Sequence, residues 1–294
     1  MSNIVRVGSR ESALAVRQAE IVIAAIQAFD PEIECDLITM KTSGDRLLDQ
    51  SLDSIGGKGL FVKELEQALL DGSIDIAVHS YKDLPYAEQP DLPIVALSAR
   101  ESAFDALVLP EGRSDLDLSG PVGSSSQRRS VQFQQLYPEA RLQAVRGNVQ
   151  TRLDKLDRGE YSALILAAAG LARLGLQGRI SRLFTVDEMI PAGSQGILAV
   201  QARRGTECPY LAAFHSRESE IASAAERGFL QALQSDCSSP VAVYAELVGE
   251  RLIVKGLYVD ESGSLRQGSV AGGSDQAGDL GRRLAGELMK GARP

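Results

Sequence analysis

The run His79-Ser80-Tyr81-Lys82-Asp83-Leu84-Pro85 sets a carboxylate beside an ammonium, directly after the apolar stretch Ile74 to Val78. That stretch reads as a buried strand with His79 opening the loop beyond it, and open α/β folds bind ligands past the carboxyl ends of such strands. Asp83 in that place suits steadying a positive charge that develops during a reaction, or shuttling protons, with Lys82 adding positive field. Neither task needs a histidine or a metal as partner. The same residues also fit a solvated loop in which His79 caps local structure, and position alone leaves both readings open.

A second set is basic: Arg10, Arg128, Arg129, Arg146, Arg152 and Arg173. Arg128 and Arg129 follow Ser124-Ser125-Ser126, where a strand passes into a helix, and Arg146-Gly147-Asn148 marks a similar junction. Backbone N–H groups at helix starts favour anions, and a guanidinium fork matches a carboxylate with two bonds. A single arginine of this kind is ordinarily a surface charge. Several at matching junctions point to a small ligand carrying many carboxylates or phosphates.

Two further stretches stand out. Gly56-Gly57-Lys58-Gly59-Leu60-Phe61 lacks the spacing of a nucleotide phosphate loop and the Ser or Thr after its lysine, so ATP binding is not expected. Its glycines would let backbone approach a ligand or let a loop swing, and Lys58 adds charge. Cys237 lies in the polar run Ser235 to Pro240. Sulfur there suits one covalent attachment as well as a turnover nucleophile, and either use needs thiolate character. Cys35, in an alternating pattern, is expected in the core, and Cys208, before Pro209, in local structure.

These groups need a scaffold. Ile4 to Val7, Ile33 to Met40, Ile74 to Val78 and Ile94 to Leu97 read as strands, separated by helices around Leu14–Ile26 and Leu60–Leu69. Their alternation suggests an open α/β layer with a largely parallel sheet, and Ala106–Leu109, Leu142–Val145 and Ala163–Leu166, again between helices, read as a second α/β unit starting near Phe104. Glu218 to Leu233 reads as a long helix. After Pro240, three strands at 242–247, 252–259 and 265–270 and a closing helix at 280–289 suggest a small α+β domain. The polar, glycine-rich stretch 269–281 reads as a loop, and no internal repeat is evident.

The chain has 294 residues, a formal charge of -8 and a sequence pI near 5.0, which sets nucleic-acid binding behind other classes. No run of 18 apolar residues occurs, so no membrane partner is expected. Three scattered cysteines and two histidines give neither a disulfide framework nor a metal site. With no secretory signal pattern at the start, a cytoplasmic location is expected.

In order, Gly56-Gly-Lys-Gly-Leu-Phe-Val-Lys-Glu-Leu65, His79-Ser-Tyr-Lys-Asp-Leu-Pro85, Arg146-Gly-Asn-Val149 with Thr151 and Arg152, and Ala169-Gly-Leu-Ala-Arg-Leu-Gly-Leu176 resemble the hydroxymethylbilane synthase family, also called porphobilinogen deaminase. The resemblance runs from about Val5 to the end. It implies two α/β domains like those of periplasmic binding proteins, 1–98 with 194–214 and 102–190, and a C-terminal α+β domain over 218–294. Gln195 would mark the hinge. It implies a transferase of tetrapyrrole and heme biosynthesis that condenses four porphobilinogen units, with loss of ammonia, on a dipyrromethane cofactor held by a thioether to Cys237. Hydrolysis then releases the linear tetrapyrrole hydroxymethylbilane.

The resemblance assigns catalysis to Asp83 with Lys82, and both to contact with the cofactor as well. It assigns cofactor carboxylates to Arg128, Arg129, Arg146 and Arg173 with Ser126, and substrate to Arg10, Ser12, Lys58, Arg146, Asn148 and Arg152. It implies a metal-independent monomer. Ser54, Ser194 and Asp236 depart from the family's usual residues, which bears on loop geometry and rate. The competing reading is a two-lobed protein that binds a small polycarboxylate or phosphate without turning it over.

Overall fold

The computed structural model describes residues 4–41, 62–87, 89–234, 240–260 and 262–291. The chain divides into two compact units, Met1–Glu101 with Ile197–Glu220, and Ser102–Gly196 with Ile221–Pro294.

The first unit is built on a five-stranded sheet ordered Glu34–Met40, Ile4–Arg10, Ile76–Ser80, Leu198–Ala202, Ile94–Leu97. The first three strands are parallel, whereas Leu198–Ala202 runs antiparallel to both of its neighbours. Four of the five strands therefore run the same way, as a largely parallel sheet requires, and one is inverted. Periodicity registers burial but not strand direction, and the chain's late return through 198–202 inverts one strand. His79 also belongs to a strand, not to the loop after it, because pairing with Ala199 extends that strand to Ser80.

The Ala13–Phe29 helix packs on this sheet through Gln18, Ala19, Val22 and Ile26, one stripe of its surface. On another part of the sheet, the Lys63–Leu70 helix buries Leu65, Ala68 and Leu69 with Ile74, Ala77 and Leu92. Each fully buried Leu or Ile contributes roughly 1.5–3 kcal/mol. Cys35 and Cys208 both pack against the first of these cores.

The second unit holds a sheet ordered Leu142–Gln143, Val122–Gly123, Ala163–Ala167, Asp105–Val108, Arg182–Leu183. Three parallel strands are again followed by an antiparallel one, here Asp105–Val108. The two sheets share one plan, a repeat the sequence does not reveal. The odd strand is contributed last in the first unit and first in the second. This unit also contains the antiparallel sheet Val241–Val248, Arg251–Val259, Leu265–Gly273, the helix Ala277–Lys290, and the helix Arg217–Ala232 from Ile221 onward.

The stretch expected as a loop at 269–281 is instead the end of a strand, a short 3-10 turn at Ser274–Gln276 and a helix start. Its glycines serve packing. A Cβ on Gly272 would come within 2.8 Å of Leu280, and one on Gly281 would overlap the backbone of Ala225. Among the described residues, no helix is long and apolar enough to cross a membrane.

Candidate functional site

In the first unit the candidate residues gather at the carboxyl ends of the parallel strands. Arg10 ends the Ile4–Arg10 strand and Ser80 ends Ile76–Ser80. Asp83 follows on a single 3-10 turn, Tyr81–Asp83. Tyr81 and Leu84 are buried on either side of the pair they bracket, and the Tyr81 N–H donates to Ile197 O at 3.0 Å. The turn is thus anchored at both ends and presents Asp83 exposed between them.

Arg10, Gln18, His79, Ser80 and Asp83 line one cleft of about 330 Å³, counting open solvent at its mouth, with Val62 and Val78 as apolar wall. Gln18 donates from Nε2 to Ser80 Oγ at 2.9 Å, which ties the helix to the residue before the turn. Burial depresses the His79 imidazole to about 4, with Arg10 pushing the same way and Gln201 and Asp83 opposing. The ring is therefore neutral in ordinary buffer. Ser12, a candidate ligand residue, is the N-cap of the Ala13–Phe29 helix, its Oγ accepting from the Ala15 N–H at 3.3 Å.

In the second unit Arg128 and Arg129 begin the Gln127–Leu136 helix and turn inward. Arg128 donates to Asp105 at 2.6 Å and to Ile190 O at 2.9 Å. Arg129 donates from Nε to Asp105 at 2.9 Å and from a terminal nitrogen to Ile165 O at 3.1 Å. Gln195 adds a donor to Asp105 at 3.0 Å and another to Ala103 O at 2.6 Å. Burial would raise the Asp105 carboxyl, but the two guanidiniums and Gln195 hold it far below the usual range.

The Val149–Asp157 helix starts beside this group. Its N-cap is Asn148, which accepts from the Thr151 N–H at 2.9 Å. Gly147 has φ 108, and a Cβ there would lie 2.7 Å from Thr151, so only glycine fits. Arg152 donates to Gly147 O at 2.8 Å. Burial first, then Arg129 and Arg146, push its guanidinium down to about 10. It stays protonated at neutral pH. Among the described residues, the charges that shift it are these two guanidiniums. Arg128 and Arg129 thus share Asp105, and the charges of Arg129 and Arg146 both act on Arg152, which gathers positive charge at these helix starts.

Arg173 ends the Ala168–Arg173 helix and donates to Gly196 O at 2.6 Å. Ser126 is the N-cap of its helix, accepting from the Arg129 N–H at 3.5 Å. Three of the polar candidates, Ser12, Ser126 and Asn148, therefore cap helices. Lys82 is half-buried in the turn before Asp83. Lys58 and Cys237 lie outside the described residues.

Sequence reading passed over Asp105, Gln18 and Gln201. An acid inside Phe104-Asp105-Ala106-Leu107-Val108 is a usable signal, because a buried strand tolerates a charge only with a partner. Gln18 gives a similar one, as an amide on the apolar stripe of its helix. Among the described residues no cluster of His, Cys, Asp and Glu is placed to hold a metal ion.

Comparison with known proteins gives two family matches. Residues 5–208 match "Porphobilinogen deaminase, dipyromethane cofactor binding domain", and residues 221–290 match "Porphobilinogen deaminase, C-terminal domain". The chain is 54% identical to the porphobilinogen deaminase of Acetivibrio thermocellus, over 98% of this chain and 99% of that one. It is 54% identical to that of Alkaliphilus oremlandii, over 98% and 97% of the two chains. For Chromobacterium violaceum the identity is 43%, over 98% and 95%.

Proposed function

From the premise that this chain belongs to the porphobilinogen deaminase family, we propose how its residues divide the family's work. The activity is that of hydroxymethylbilane synthase: four porphobilinogen units are joined with loss of ammonia, and hydrolysis releases hydroxymethylbilane. The cofactor is dipyrromethane, which when bound supplies the pyrrole carbon that the first unit joins.

The residues present fit such a group. A dipyrromethane carries acetate and propionate arms, and the second unit sets Arg146 and Arg152 near Arg129, whose own acid Asp105 is shared with Arg128. The positive field on Arg152 from Arg129 and Arg146, with Asp105 already shared, is the observation that carries this reading. Arg128, Arg129, Arg146 and Arg173 hold carboxylates of the cofactor, and Arg152, Arg146 and Arg10 those of substrate. Ser12, Ser126 and Asn148 act by fixing the helix starts. Lys58 adds positive charge, and Cys237 is the point of attachment.

Asp83 performs the electrostatic step. Porphobilinogen becomes a pyrrolic cation as its aminomethyl nitrogen departs. A carboxylate about 4 Å from that charge lowers its energy by about 4 kcal/mol at an effective dielectric near 20. Anchoring by Tyr81, Leu84 and the Gln18–Ser80 bond holds the carboxylate ready, so little reorganisation opposes the step. Lys82, next to it, adds positive field for the substrate's acid arms.

The division into domains 1–98 with 194–214, 102–190 and 218–294 belongs to the same proposal. So does a cytoplasmic monomer that engages neither nucleic acid nor membrane, in keeping with the acidic charge of -8.

Intact-protein mass spectrometry tests the proposal. The purified chain should carry one dipyrrole, and Cys237→Ala should abolish it. A chain that stays unmodified after incubation with porphobilinogen would instead be a reversible binder of polycarboxylates.

A further inference from the structure

The cleft around Asp83 contains a buried group that the preceding mechanism leaves idle. His79 is 6% exposed and its Nε2 atom is buried without a hydrogen-bond partner. Gln201, 2% exposed, has its Oε1 in the same condition. The two residues lie on neighbouring antiparallel strands, where His79 pairs with Ala199 and Gln201 with Ala77. They are diagonal neighbours on one face of the sheet, within reach of long side chains.

The amide of Gln201 cannot turn freely. Its Nε2 donates to Leu92 O at 2.9 Å, which directs Oε1 elsewhere. A buried acceptor without a donor is costly, and so is a buried donor without an acceptor. Both penalties lapse if the imidazole carries its proton on Nε2 and gives it to Gln201. We propose that Gln201 is a positioning residue that accepts the Nε2 proton of His79, holds the uncharged ring in that tautomer, and leaves Nδ1 as a hydrogen-bond acceptor for an N–H group of the substrate.

This rests on the reading that the Asp83 cleft is where porphobilinogen reacts. There the substrate offers a pyrrole N–H and a departing nitrogen. A neutral acceptor receives such a proton without adding a second negative charge beside Asp83. The charged and titratable groups facing the ring are Arg10, at the end of the adjacent strand, and Asp83, on the following turn. Glu66, on the Lys63–Leu70 helix, reaches it through Gln201; burial raises that carboxyl and the bond from Gln201 opposes the rise. Burial holds the imidazole neutral against Asp83.

The chain has only two histidines, so imidazole-¹⁵N labelling gives two rings to assign, with His215→Gln separating them. The wild-type protein should show His79 protonated at Nε2 and bare at Nδ1, with no titration near neutral pH. Gln201→Glu keeps an acceptor but adds a negative charge. It should raise the His79 pKa by about 1–3 units and bring a new acid limb into the pH profile of kcat/KM. Gln201→Leu should mix the tautomers and lower kcat at least tenfold, while the dipyrrole adduct still forms.

A wild-type His79 protonated at Nδ1, or a Gln201→Glu protein with unaltered His79 titration and pH profile, would overturn the proposal. The tautomer is read without turnover, and the adduct is read by mass. Failure here is therefore distinguishable from failure of the family's chemistry in this chain.

Discussion

Replacing Asp105 by Asn is the sharpest test of how the second unit is held. The carboxylate is 0% exposed and receives donors from Arg128, Arg129 and Gln195. Asn is nearly isosteric but removes the charge and turns an amide N–H₂ toward two guanidiniums. Both buried arginines then lose this carboxylate, and breaking a buried pair in this way costs about 3–5 kcal/mol. That is a large share of the roughly 5–15 kcal/mol by which domains are stable. Urea titration at pH 7, followed by circular dichroism, reads the loss.

The pH dependence supplies a second, independent reading of the same variant. The folded Asp105 pKa lies below its unfolded value, so the stability it confers is fully present above the unfolded pKa of about 3.9. It is lost as pH falls through that value toward the folded one. Asp105→Asn should remove this part of the acid sensitivity, and its stability curve should be flatter below about pH 4 than that of the wild type. A variant within about 1 kcal/mol of wild type at pH 7 would refute the view that this carboxylate offsets the charge of the two arginines.

Asp83→Asn should leave the unfolding curve unchanged, since the side chain is exposed, and lower kcat by about a thousandfold, the equivalent of the 4 kcal/mol estimated above; turnover within tenfold of wild type would remove Asp83 from the mechanism. Arg146→Leu takes away a charge-assisted bond to a carboxylate, about 1.5–3 kcal/mol, and should raise KM or impair dipyrrole loading by about 10- to 150-fold. Unchanged loading and elongation would show that Arg146 grips no acid arm.

Much of this architecture could be read from the chain itself, and the gaps have physical causes. The Asp83 turn was legible because a polar run follows an apolar strand abruptly. The three C-terminal strands were legible because each has its own alternation and turn residues. The Leu198–Ala202 strand was not, because apolar residues signal burial without naming the neighbour or the direction. The Ser12, Ser126 and Asn148 side chains are exposed to two demands, ligand binding and helix capping, and the same residue types meet both. Arg128 and Arg129 were marked as anion forks, yet Asp105, 23 and 24 positions earlier, decides where they point. No local pattern carries information over that separation.

The position of the Leu198–Ala202 strand has a bearing on how the chain is made. It lies between Ile76–Ser80 and Ile94–Leu97, so neither can complete its hydrogen bonding before residue 202 is available. A nascent polypeptide of a hundred residues leaving the ribosome has a divided sheet with two unpaired edges, and such edges invite aggregation. Truncations ending anywhere before 197 should share that fate, which makes the amino-terminal half a poor candidate for separate expression and a natural client for chaperones during synthesis.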